Sequence, residues 1–120
     1  MEGGPKREER ILGCLGILRR MGALVPGQDR VERALRSSGK WLVLFAEDTN
    51  GAVLRRLGAL AARQGATIRP LKGIDRRLLG ERLGLRPVQV LALPADEPLA
   101  ERLSGWCDEG SDVHEQNQGV

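Results

Sequence analysis

The 120-residue sequence predicts an α/β fold, a three-layer α/β/α sandwich built around a four-stranded sheet. Three observations lead to this prediction. Helical and strand periodicities alternate along the chain, and the connections between them are only a few residues long. The run of consecutive apolar residues over 41–46 is typical of a strand that is covered on both faces. Because a sheet with such a strand needs helices on both sides, a layered sandwich results.

The first part of the chain alternates helix and strand twice. Apolar residues recur every three or four positions from about Glu8 to Met21, which predicts a helix that Gly22 ends. A short strand over 23–25 and a Pro-Gly turn follow. A second helix is predicted over 28–38, and the apolar run 41–46 is predicted as a central strand.

The second part continues the alternation and ends in a polar segment. The predicted elements are a helix from the potential caps Asp48, Thr49 and Asn50 to about Gln64, a strand over 66–71, a helix from Asp75 to Gly84, a strand over 88–93, and a helix from the cap Asp96 to about Gly105. Since the periodicity stops there, we predict one domain over 1–105 and an acidic flexible tail over 106–120.

The charge of the chain is unevenly distributed. Lys and Arg total 19, of which 16 are Arg, against 16 Asp and Glu. Four of the acids lie in the predicted tail, so residues 1–105 hold 19 basic and 12 acidic residues, a formal charge of +7. A basic body of this kind suggests a polyanionic partner. The acidic tail would dock on the same basic surface and compete with nonspecific partners for it. The alternative is that the arginines simply solvate helix faces.

Residues that carry enzyme chemistry are scarce. The one histidine, His114, lies in the predicted tail, and no nucleophile elbow, phosphate loop or dinucleotide-binding glycine motif is present. Cys14 and Cys107 are far apart and have no spacing typical of a disulfide framework or a zinc site. We therefore expect a protein that is not an enzyme and needs no cofactor and no metal.

The sequence contains no apolar stretch of the ~20 residues that a membrane-spanning helix needs, and no signal-peptide pattern at its start. We expect a cytoplasmic protein without a membrane partner. Aromatic residues are few, and Trp41 and Phe45 fall in the predicted central strand. Stacking of single-stranded bases on an exposed sheet is therefore a poor mechanism for this chain, whereas contact with a shaped RNA stays open.

The best local candidate site is the turn that opens the second helix. A glycine before a helix allows close approach to the unpaired backbone N–H groups and to the positive end of the helix dipole. Gly27 occupies this place, Arg30 and Arg33 flank it, and Gln28 can form a hydrogen bond with a base edge. Many helices begin in this way, so a capped helix without a ligand is the alternative.

Residues 15–50 and 68–96 resemble the kink-turn-binding ribosomal protein family, the L-seven-Ae and L-thirty-e group, and its small bacterial YlxQ-type members most of all. The resemblance extends over about Glu8 to Gly105. It rests on the glycine turn, the amphipathic helix after it, the strand that ends in Ala-Glu-Asp, the Leu-Gly pair of the fourth helix and the segment before the last strand. It implies a sheet of mixed direction and the recognition of sharply bent RNA.

The resemblance also assigns site residues. The family signature Gly-x-Asn-Glu-x-x-Lys falls on Gly27, Asp29, Arg30 and Arg33, so that the Asn becomes Asp and the Glu becomes Arg. These replacements alter the readout of the sheared base pairs and make the surface more basic. The loop that covers an extruded base in the family falls on residues 85–88, namely Leu85, Arg86, Pro87 and Val88.

We predict that the chain binds structured, kink-turn-like RNA, ribosomal RNA in the first place, as a non-catalytic protein of the ribosome or of translation. The alternative is a protein-interaction module that uses the same basic surface, for example in a ribonucleoprotein. A third reading is a small-ligand site near Asp48, where a central strand ends. The first prediction requires that Gly27, Arg30, Arg33 and Arg86 lie on one exposed surface.

Overall fold

The computed structural model describes the backbone of residues 6–119 and the side chains of residues 6–109. Five helices and four strands alternate along this part of the chain. Their bounds are α1 Arg7–Arg20, β1 Val25–Pro26, α2 Gln28–Arg36, β2 Trp41–Ala46, α3 Gly51–Arg63, β3 Thr67–Leu71, α4 Arg76–Leu83, β4 Val90–Pro94 and α5 Pro98–Gly119.

The four strands form a single mixed sheet in the order β1-β4-β2-β3. β2 and β3 are parallel, whereas β4 runs antiparallel to both of its neighbours, β1 and β2. The predicted α/β class, the number of strands and the mixed direction are thereby confirmed. Because β1 and β4 are antiparallel, the end of β1 lies beside the start of β4, at the same edge where β2 ends.

The core consists of two clusters, one on each face of the sheet. Alternate residues of β2 point to opposite faces, so that Leu42 and Leu44 join one cluster, and Val43 and Phe45 join the other. Helices α1, α4 and α5 cover the first face, and α2 and α3 cover the second. The predicted three-layer sandwich is confirmed.

Several predicted element ends differ from the observed ones because of local hydrogen bonds. β1 begins at Val25 rather than at residue 23, since the N–H of Ala23 donates to the carbonyl of Leu18 and closes the end of α1 instead. β4 begins at Val90 rather than at 88, since the N–H of Val88 donates to the carbonyl of Arg76.

The predicted helix caps are partly confirmed. Of the three candidates before α3, Asn50 is the cap, and its side chain accepts from the N–H groups of the first turn. Asp75 caps α4, and Gly84 ends that helix in the left-handed conformation. The prediction for α5 was wrong, because the carboxylate of Glu97 rather than that of Asp96 accepts from the first turn.

The last helix continues past the predicted domain boundary at Gly105. α5 runs to Gly119, and Cys107 is only 1% exposed. Ala100, Leu103 and Cys107 recur at helical spacing and pack in the cluster under α1. The packed body therefore includes Cys107. The acidic tail stays a prediction for the residues after Cys107, and the side chains from 110 onward, including that of His114, lie outside the described residues.

Candidate functional site

A surface cavity of about 480 Å³ lies between the start of α2 and the segment that precedes β4. Seven of the nine predicted site residues line it. Three come from the turn and first residues of α2, namely Gly27, Gln28 and Arg30, and four form the segment before β4, namely Leu85, Arg86, Pro87 and Val88. The two segments, which are nearly 60 residues apart in the sequence, form the two walls of one cavity.

The strand order brings these two walls together. β1 leads directly into α2, and β4 follows directly after the second segment. The N–H of Gly27 donates to the carbonyl of Val90 at 2.9 Å, which extends the pairing between β1 and β4 to the mouth of the cavity. The site therefore lies at the edge of the sheet where β1, β2 and β3 end, a place where α/β sheets commonly bind ligands.

The first wall is the accessible N-terminus of α2. Gly27 has a φ of 98°, a value that glycine adopts without steric cost, and a Cβ there would meet no neighbour within 4 Å. Within residues 6–109, no side chain caps this helix. Backbone N–H groups of the first turn have no intrahelical acceptor and carry the positive end of the helix dipole. This wall offers hydrogen-bond donors to an incoming anion or carbonyl oxygen.

The second wall is held against α4 by close backbone packing. The N–H of Leu85 donates to the carbonyl of Gly80 at 2.8 Å, and the N–H of Val88 to that of Arg76 at 3.1 Å. A Cβ on Gly80 would lie 2.9 Å from the Cα of Pro87. Since real Cβ atoms do not approach backbone so closely, glycine is required at this position. The segment is thus a fixed wall and not a loose loop.

Three arginines surround the cavity. The Nε–H of Arg19 donates to the carbonyl of Leu83 at 2.7 Å, which directs this side chain across the end of α4. Arg30 and Arg86 are exposed. Among the side chains of residues 6–109, none of the three has a carboxylate within ion-pair distance. These guanidinium groups therefore remain available to phosphate oxygens.

Gln28 is tied to α3 as well as facing the cavity. The Nη2 of Arg56 donates to the Oε1 of Gln28 at 2.8 Å, and its Nη1 donates to the carboxylate of Glu32. Hydrogen bonds from Arg36 and then Arg56 hold the pKa of Glu32 below its ordinary value. This hydrogen bond uses one lone pair of the amide oxygen of Gln28, and the NH₂ group of the same side chain remains as a donor for a ligand.

The other two predicted residues do not line the cavity. Asp29 and Arg33 are exposed on the outer side of α2. Residues three positions apart on a helix differ by about 60° around its axis. Arg33 therefore continues the charge of Arg30 along the outer surface of α2, and the four residues Gly27, Arg30, Arg33 and Arg86 lie at or next to one exposed edge of the molecule.

Asp48 is engaged within the fold. Its Oδ1 accepts from the N–H of Arg76 at 2.8 Å, and the guanidinium of the same arginine donates to its Oδ2 and to its carbonyl oxygen. The backbone hydrogen bond, followed by the side-chain one, lowers the pKa of Asp48. The carboxylate joins the end of β2 to the start of α4, which argues against the small-ligand reading. Among the described residues, no group of acidic, His or Cys side chains is arranged to hold a metal ion.

Sequence reasoning missed two lining residues, Arg19 and Gln89, and included Pro26 only as part of the turn before α2. Gln89 is the residue before β4, and its Oε1 accepts from the N–H of Asn50 at 2.6 Å, which connects the second wall to the cap of α3. Pro26 and Gln89 both adjoin predicted site residues, so their positions carried a signal. Arg19 had none, because the path of α1 across the sheet is a tertiary feature.

Within residues 6–119, no helix combines the length and hydropathy required to cross a membrane.

No family model matches the chain, and no curated protein matches it. Solved structures do match the chain. A protein with unknown function from Bacillus halodurans C superposes with a TM-score of 0.72 at 21% identity, over 82% of this chain and 96% of the other. The Giardia lamblia 15.5kD RNA binding protein superposes with a TM-score of 0.65 at 13% identity, over 89% of each chain. At these identities the superpositions show that the chain has the same fold as both proteins.

Proposed function

We propose that this chain binds structured RNA at the cavity between α2 and the segment 85–88, and that sharply bent, kink-turn-like RNA is its preferred partner. It acts as a binding protein of the ribosome or of translation and catalyses no reaction. One observation carries the proposal: two distant segments form the opposite walls of one cavity that three arginines surround.

The chemistry of the walls suits a nucleotide. Guanidinium groups at Arg19, Arg30 and Arg86 match phosphate oxygens, and the open start of α2 adds backbone donors. Leu85 and Pro87 supply apolar surface for the face of an unstacked base. The fold shared with the Giardia RNA binding protein and the resemblance of the sequence to the kink-turn-binding family both support this function.

The preference for a bend follows from the shape of the site. A cavity of about 480 Å³ accommodates a single extruded nucleotide better than a continuous duplex, whose bases are stacked and paired. Arg30 stands where the family has Glu, so this position favours acceptor groups, phosphates above all, over the N–H groups of sheared pairs, whereas Asp29, in place of Asn, keeps acceptor oxygens and loses the donor.

Fluorescence anisotropy tests the proposal with two RNAs of equal length, one with a kink-turn and one with the bulge paired to form a straight duplex. We expect tighter binding of the bent RNA. Replacement of Arg30 or Arg86 by Ala removes charge-assisted hydrogen bonds of about 1.5–3 kcal/mol, which corresponds to a tenfold loss or more.

Arg102→Ala is the matched control, because Arg102 is exposed on α5, on the opposite face of the sheet from α2. It should leave the affinity unchanged. Equal binding of the two RNAs, or equal affinity of the Arg30, Arg86 and Arg102 variants, would contradict the proposal. A partner that copurifies after RNase treatment and requires the same arginines would favour a protein-interaction function instead.

A further inference from the structure

The two helical layers of the sandwich differ in charge. Helices α2 and α3 together hold six arginines, Arg30, Arg33, Arg36, Arg55, Arg56 and Arg63, against two carboxylates, Asp29 and Glu32. Among the described side chains, helices α1, α4 and α5 hold eight arginines and six carboxylates, a formal charge of +2 against +4 on α2 and α3. The larger part of the positive excess of the helices therefore lies on the α2–α3 layer.

Ion pairs are more numerous on one layer than on the other, and within the side chains of residues 6–109 they leave four arginines of each layer without a carboxylate within ion-pair distance. On the α1–α4–α5 layer four arginines are neutralised by carboxylates, in the pairs Arg7–Glu8, Arg76–Asp48, Arg77–Glu81 and Arg82–Glu9. On the α2–α3 layer, Arg36 and Arg56 share Glu32. As far as side chains are described, Arg30, Arg33, Arg55 and Arg63 have no carboxylate within ion-pair distance. These four charges face solvent and extend from the cavity along both helices.

The outer ridge of α3 is flat. Arg55, Ala59 and Ala62 follow one another at i, i+4 and i+7, and all three are exposed. Arg63 is exposed at the end of the helix. The 13 residues of α3 span about 20 Å. A partner backbone can approach the alanines closely while arginines near both ends of the ridge reach its charges.

We propose that a duplex arm of the bound RNA lies along the α2–α3 layer, with phosphates contacted by Arg33, Arg55 and Arg63 while the bend occupies the cavity. This inference rests on the proposed function and extends its footprint to a second surface. Double-stranded RNA fits the ridge, because it presents a wide, shallow minor groove between two lines of phosphates and is recognised mainly by shape and backbone contacts.

Salt-dependent binding of the intact protein tests the inference, with bent RNAs whose arms have about 4 or about 16 base pairs, each arm being lengthened in turn. The longer arm on one side should tighten binding and steepen the salt dependence. Arg55→Ala combined with Arg63→Ala should lower the slope of log affinity against log salt by about two for that RNA, because two phosphate contacts are lost. The short-arm RNA should be unaffected.

The matched control is Arg10→Ala combined with Arg102→Ala, which removes the same charge from exposed positions on α1 and α5. Its slope should stay within experimental error of the unmodified protein. Ala59→Arg adds a guanidinium in the middle of the ridge and should tighten binding of the long-arm RNA, whereas Ala59→Glu should weaken it. These two variants remove no native contact of the ridge, so a change in either direction reports on the surface and not on the fold.

The outcomes separate this inference from the proposed function. The inference would be overturned if the affinity depended on Arg30 and Arg86 but changed neither with arm length nor in the variants of Arg55, Arg63 and Ala59. The cavity would then remain as the RNA site. Affinity that is indifferent to Arg30 and Arg86 would overturn the proposed function itself. Loss of an acidic protein partner, with RNA binding intact, in the Arg55 and Arg63 double variant would assign the ridge to protein contact and also overturn the inference.

Discussion

Gly80→Ala should destabilise the protein and open the cavity, although alanine is the better helix former. The new Cβ would lie 2.7 Å from the carbonyl carbon of Arg86, about 0.8 Å closer than the ~3.5 Å of an optimal contact. The neighbouring atoms belong to backbone, and hydrogen bonds from Leu85 and Val88 fix that backbone to α4, so no side chain can simply rotate away.

The expected magnitude combines two opposing effects. Overpacking at a close contact costs about 1–3 kcal/mol, and replacing a helical glycine by alanine returns about 0.5–1 kcal/mol. The free energy of unfolding should therefore fall by up to about 2.5 kcal/mol. Because the second wall of the cavity must move, the affinity for bent RNA should fall as well.

Urea unfolding provides the assay, with the midpoint and the slope recorded for each variant. Gly13→Ala is the control, because Gly13 also lies within a helix but a Cβ there meets nothing within 4 Å. It should stabilise the protein by about 0.5–1 kcal/mol. The same substitution thus has opposite signs at two helical positions. A gain in stability at Gly80 similar to that at Gly13 would refute the close approach of the segment 85–88 to α4.

Three further predictions concern acid stability, thiol reactivity and the connection between α2 and α3. The lowered pKa of Asp48 stabilises the fold at pH values above the ordinary pKa of 3.8, and this contribution is lost as the pH falls through the pKa of the folded state. Asp48→Asn should therefore reduce the decline of the urea midpoint between pH 6 and pH 2, and an unchanged decline would contradict this prediction. Burial raises the pKa of Cys107 to about 11 and also raises that of Cys14. Iodoacetamide should therefore label both thiols at pH 8 only in denaturant, whereas rapid labelling of the native protein would show that α5 opens. Arg56→Lys keeps the charge but loses the two-point contact that includes Gln28, so the affinity for bent RNA should fall severalfold in the anisotropy assay, while a purely electrostatic role predicts no change.

A continuous apolar run made the central strand β2 predictable from the sequence. β2 is observed over the predicted residues Trp41–Ala46, because a strand covered on both faces is apolar at every position. β1 could not be delimited in this way. It has two residues, and its start is decided by the hydrogen bond that the N–H of Ala23 gives to α1 rather than by any periodicity of its own.

Only one wall of the candidate site could be predicted from local sequence patterns, because the other is brought opposite it by tertiary packing. The local pattern pointed to Gly27 as the start of an open helix, but nothing near it in the sequence shows that residues 85–88 lie opposite. That proximity depends on the antiparallel pairing of β1 with β4, which periodicity did not predict; the family resemblance implied only a mixed sheet and two segments that contact the RNA. Arg19 enters the site only because α1 crosses to the end of α4, where the carbonyl of Leu83 accepts its Nε–H.

The polar composition after Gly105 concealed the length of the last helix. Acidic and small residues there are typical of a solvated segment, yet Leu103 and Cys107 continue the buried stripe of α5. One apolar residue per turn suffices when the helix packs against a neighbour, here α1. Composition averaged over fifteen residues does not detect so narrow a stripe.

Site-specific photocrosslinking tests the central claim most directly, namely that the two walls grip one place on a bent RNA. A benzophenone side chain is introduced at Asp29, at Pro87, or at Ile17, which is 44% exposed on α1 on the other side of the sheet. We expect crosslinks from Asp29 and Pro87 to nucleotides next to the bend, on the same few residues of the RNA, and none from Ile17. Crosslinks that map to separate regions of the RNA, or that form equally from Ile17, would contradict a single site built from both walls.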